Sequence, residues 1–132
     1  MQRKTYLLKA MKRLFLLALV SICGSAFCQP RKVMCTVYNP TAGQCDASPI
    51  VTADNSKIDI ERLKSGELRW CAVSRDILKE YSYGDTIEVF ISDGHPKNGK
   101  WVIHDTMNKR YVNYVDFLTY NEKYGKWHGK ME

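Results

Sequence analysis

Two carboxylates stand in the middle of strand-like apolar runs: Asp105 in Trp101-Val102-Ile103-His104-Asp105-Thr106-Met107, and Asp116 in Val115-Asp116-Phe117-Leu118. A strand of a small β-domain ordinarily holds Val or Ile there, because burying an unpaired carboxylate costs several kcal/mol. Residues kept at such a cost mark a site. The plain structural alternative puts both acids at strand ends, paired with Lys109 and Arg110.

Acid catalysis of glycosidic cleavage fits the pair. Protonating the leaving oxygen needs a carboxylic acid whose pKa is raised by an apolar wall or a second carboxylate. Alternation along the strand places Trp101 and Ile103 on the face of Asp105, and Asp116 lies on the next strand. One acid suffices for a transglycosylase, in which the sugar's own hydroxyl attacks. A hydrolase needs the second carboxylate about 5 Å away for retention or about 6.5–9.5 Å away for inversion.

Other chemistries find less support. His95, His104 and His128 share no ligand spacing, with His95 in a turn, His104 on the face opposite Asp105 and His128 in the tail, so no metal is expected. Thr52 and Ser74 lack a neighbouring His to act as base, which argues against acyl transfer. Most tyrosines read as packing; Tyr38, beside the first turn, is kept as a candidate for the groove.

The elements that must position these residues are short and β-rich. Lys32–Tyr38, Leu68–Val73, Thr86–Ile91, Lys100–Thr106 and Val112–Leu118 read as strands, with Ile50–Ala53 a further extended piece. Asp59–Lys64 reads as one helical turn ended by Ser65-Gly66, and Ser74-Arg75-Asp76 as a helix start with Ser74 as N-cap. The turn-rich stretch 92–99 joins two strands as a hairpin loop. Five or six short strands with almost no helix predict a small barrel.

The N-terminal segment has the form of an export signal. Met11-Lys12-Arg13 opens a basic region, Leu14–Ile22 is apolar or small, and Gly24, Ser25 and Ala26 are the small residues a signal peptidase requires. The apolar run is too short to span a bilayer. Met11 is an alternative start, and cleavage after Cys28 is favoured over cleavage after Ala26. Ile22 and Phe27 before Cys23 and Cys28 argue against lipid attachment. The chain of 132 residues carries 20 Lys and Arg against 14 Asp and Glu, net +6. Removing Arg3, Lys4, Lys9, Lys12 and Arg13 with the signal leaves fifteen against fourteen, net +1, so no basic patch argues for nucleic acid. Residues 29–132 then form a single domain retaining Cys35, Cys45 and Cys71. Cys35 reads as buried, and a bridge, if one forms, pairs Cys45 with Cys71; cleavage after Ala26 would keep Cys28 and make the count even.

Read in order, Thr36-Val37-Tyr38, Val51-Thr52-Ala53-Asp54-Asn55, Cys71-Ala72-Val73-Ser74-Arg75-Asp76-Ile77-Leu78, Tyr83-Gly84-Asp85-Thr86-Ile87-Glu88-Val89, Ile103-His104-Asp105-Thr106 and Val115-Asp116-Phe117-Leu118 resemble the double-psi β-barrel superfamily. The nearest likeness is to three-aspartate (3D) and rare-lipoprotein-A-like domains. The resemblance implies a six-stranded barrel with one or two short helices, exported to the envelope, that cleaves or binds peptidoglycan glycan strands. It implies Asp105 as catalytic acid of a lytic transglycosylase-like reaction and Asp116 as its companion. Tyr38, Asp54, Asp76 and Thr106 are the substrate-binding candidates; no cofactor is implied, and a monomer is expected. Two positions depart from the family pattern: Ser74 stands where a third Asp is expected, with Asp76 a substitute two residues on, and Met107 replaces a Gly that would let a sugar approach. These departures favour the alternative of a catalytically silent barrel that binds envelope glycan.

Overall fold

The computed structural model describes residues 29–41 and 50–132. The export segment and Cys45 lie outside the described residues. Six strands, β1 (Arg31–Tyr38), β2 (Trp70–Val73), β3 (Thr86–Phe90), β4 (Gly99–Thr106), β5 (Tyr114–Leu118) and β6 (Lys126–Met131), close into a barrel in the order β1-β5-β2-β4-β3-β6. The sheet is mixed: β1 with β5 and β2 with β4 run parallel, and the other neighbouring pairs antiparallel. Among the described residues, one short helix, α1 (Ile60–Lys64), and one 3-10 turn (Ile77–Lys79) accompany the barrel.

Alternation fills the barrel interior. Val33, Cys35 and Val37 of β1, Cys71 and Val73 of β2, Ile87 and Val89 of β3, Trp101 and Ile103 of β4, Val115 and Phe117 of β5 and Met131 of β6 form one buried cluster, with Ile77 alongside. The Trp101 and Phe117 rings meet at 4.4 Å. A second cluster lies on the outer side of β1, β5 and β2, where Tyr38, Ala72 and Leu118 pack under Ile58, Leu63 and Leu68. Asp59 caps α1 by accepting from the Glu61 and Arg62 amides, so the helix that carries Leu63 starts where its sequence signal placed it.

Three local expectations are corrected. The tail containing His128 is a strand: β6 pairs with both β1 and β3 and closes the barrel, and Gly129 within it runs so close to its neighbours that a Cβ would lie 2.9 Å from Cys35 Sγ and 3.1 Å from the Phe90 carbonyl. The strand expected from Leu68 begins at Trp70. Ser74 does not cap the following turn with its side chain; its Oγ accepts the Tyr114 amide at 3.0 Å, tying β5 to the end of β2. Cys35 is buried as expected, and its thiol is pushed up to about 12 by burial. Cys71 is a free thiol inside the barrel among the described residues.

Candidate active site

Register brings the two carboxylates together. Ala72 pairs with Asp105 of β4 on one side and with Asp116 of β5 on the other, and Asp116 pairs in turn with Thr36 of β1. Thr36, Asp116, Ala72 and Asp105 therefore form one row across four adjacent strands. The Asp105 and Asp116 Cα atoms are two strand spacings apart, about 9–10 Å. Ala72 between them has only a methyl group.

Asp105 reaches this row through a β-bulge. Cys71 pairs with Ile103, but Ala72 pairs with Asp105, so His104 is an extra residue on β4. Strict alternation would have sent Asp105 inward with Trp101 and Ile103; the bulge turns it to the outer face instead. The expectation that those two residues form its apolar wall is overturned. So is the placement of His104 opposite Asp105, since both side chains reach the same turn, residues 52–56.

Hydrogen bonds define each acid. Asp105 Oδ1 accepts the Ala53 amide at 3.0 Å and the Thr106 amide at 2.9 Å, and Oδ2 accepts the Tyr38 hydroxyl at 3.3 Å. Burial raises the Asp105 pKa, and the charge of Asp54 adds to this against those three donors. Asp116 Oδ1 accepts the Thr36 hydroxyl at 2.7 Å. Burial, reinforced by the charge of Asp105, pushes the Asp116 carboxyl up to about 6 despite that bond. Tyr38 is buried rather than open to a groove; desolvation and then the charges of Asp105 and Asp116 hold its hydroxyl well above the usual phenol range.

Asp54 has the opposite character. It sits in the turn of a small hairpin whose Val51 and Lys57 bridge and whose Asn55 takes a left-handed φ of 65°. Burial works to raise its pKa, but hydrogen bonds from Thr52, His104 and Ser56 win and hold it at about 2. His104 Nδ1 lies 2.6 Å from Asp54 Oδ2 and 3.2 Å from Ser56 Oγ, with the ring centroid 4.1 Å from that of Trp70. Both contacts use one nitrogen, so this is not a nucleophile-His-acid relay, which needs both.

The remaining candidates separate. Thr106 adjoins Asp105, and its hydroxyl meets the Val73 carbonyl at 3.4 Å. Tyr83, which no reading of the sequence made a site candidate, hydrogen-bonds to Thr106 and is exposed at the surface, with its pKa raised by burial and then by Asp105. Asp76 is engaged elsewhere: Arg31 donates to it at 2.7 Å and the Asn113 amide at 3.1 Å, which fixes the entry to β5. Met107 packs against the outer cluster. No group of side chains suited to a metal occurs among the described residues. A cleft of about 490 Å³ lined by residues such as Glu88, Phe90 and Lys130 opens at the β3–β6 seam, away from these acids.

The place of Tyr83 beside Asp105, and the bulge, escaped the sequence. Asp105 and Thr106 are more than twenty residues from Tyr83 in the chain, and a bulge leaves no mark on a run of apolar and polar residues. Comparison with family models, with curated proteins and with solved structures finds no match for this chain.

Proposed function

We propose that this chain is an exported double-psi β-barrel that cleaves the glycan strands of peptidoglycan by general acid-base catalysis, in the manner of a lytic transglycosylase. The observation that carries the reading is the row Asp116-Ala72-Asp105: two carboxyls with raised pKa values on either side of the smallest buried side chain of the outer cluster. Asp105 protonates the glycosidic oxygen as its bond to the anomeric carbon breaks, and then takes the proton of the same sugar's hydroxyl as that oxygen bonds to the anomeric carbon. Asp116 is its companion in the row: burial and the charge of Asp105 hold the Asp116 proton up to about pH 6. The row runs on through Thr36 to its β6 partner Lys126, whose exposed side chain marks where the row meets the surface. The closed mixed topology is compatible with the double-psi reading and supports it.

Binding without cleavage is the second reading, and Met107 favours it: its side chain fills the place where the family pattern has Gly. Incubation of the 29–132 protein with purified sacculi separates the two. Cleavage releases anhydro-muropeptides detectable by mass spectrometry. Sedimentation with sacculi and no released fragments between about pH 4 and 8 would leave the binding reading.

A further inference from the structure

The turn at residues 52–56 touches the acid pair through one backbone amide, that of Ala53, and it is secured to β4 by the bulge residue. His104 contributes three contacts to the turn: Nδ1 to Asp54 Oδ2 at 2.6 Å, the same nitrogen to Ser56 Oγ at 3.2 Å, and its carbonyl accepting the Asp54 amide at 3.4 Å. Trp70 backs the ring on β2, the next strand. Thr52 and the Ser56 amide complete the shell of Asp54, donating at 2.6 and 3.0 Å. The His104 side chain is 18% exposed and that of Asp54 14%, so the pair is largely shielded from water, where a charge-assisted hydrogen bond keeps its strength.

We propose that His104 is a positioning residue: by gripping Asp54 it fixes the 52–56 turn so that the Ala53 amide stays on the Asp105 carboxylate. The bulge that turns Asp105 outward thus also supplies the group that orients it. This role deepens the glycan-cleavage reading by naming what sets the ionisation of its acid. The charged and titratable groups that bear on Asp105 are Asp54 on the turn, Tyr38 of β1, Asp116 of β5, Tyr83 before β3 and, through Tyr83, Arg75 after β2.

The test is a carboxyl-carbon and amide NMR titration of the 29–132 protein and of His104→Phe, which keeps a ring against Trp70 and removes Nδ1. In the wild type the Ala53 amide proton should shift with the ionisation of Asp105. In His104→Phe that shift should disappear and the Asp105 midpoint should move upward, because a donor to the charged form is lost. If the Ala53 amide follows Asp105 with an unchanged midpoint in the variant, the role is wrong. His104→Leu, which likewise offers Asp54 no donor, is read the same way and takes its place should the phenylalanine variant not fold. Lower stability with an unmoved Asp105 titration would make His104 merely structural and overturn the proposal. Neither readout requires turnover, so a failure to cleave sacculi would refute the glycan-cleavage reading and leave this test standing.

Discussion

At the residue scale the two central carboxyls and Asp54 respond to pH in opposite senses. Asp116 ionises at about 6 when folded against 3.8 for an ordinary carboxyl, so its contribution is complete below about pH 4 and is lost as pH rises through about 6. At neutral pH the buried charge costs on the order of 2–3 kcal/mol. Asp116→Asn should therefore raise stability at pH 7 and flatten the fall between pH 4 and 7 in urea unfolding. Asp54, held at about 2, adds stability that is present above about pH 4 and disappears as pH falls through 2. Asp105→Asn tests the chemistry: it keeps the shape and removes the transferable proton. Fragment release from sacculi should fall by about 10²–10⁴-fold, with binding and melting temperature nearly unchanged.

Two elements hold the site without touching it. Strand β6 closes the barrel against β1, whose Thr36 and Tyr38 hold the two acids, and Gly129 is where β6 crosses Cys35 most closely. Gly129→Ala should cost about 1–3 kcal/mol by overpacking, measured as a lowered unfolding midpoint with an unchanged denaturant slope. Helix α1 covers the outer cluster around Tyr38 and Ala72, and its start depends on Asp59. Asp59→Ala should remove about 1 kcal/mol.

At the scale of the whole molecule, a continuous interior cluster fed by all six strands predicts a single cooperative unfolding transition for residues 29–132. Coincident circular dichroism and tryptophan fluorescence curves check this, since Trp101 lies inside the barrel. Export predicts a secreted protein beginning at Gln29 or Phe27, and its intact mass decides between them. A retained N-terminus or a lipid-modified Cys23 or Cys28 would refute the export reading.

Alternation and turn residues are local properties, so five of the six strands, the single helical turn and the barrel class were legible in the sequence. The sixth strand was not: Lys126, His128 and Lys130 face outward while Gly129 dilutes the inward pattern, and only pairing with β1 and β3 makes it a strand. The two acids stood out because each interrupts an apolar run. Which face they share was decided by tertiary structure, because one extra residue on β4 reverses the side to which Asp105 points. That Asp54 and His104 belong to Asp105, and Asp76 to Arg31, is likewise a matter of long-range register. Residue types carry the chemical potential of a site; the pairing of distant strands determines which of them meet.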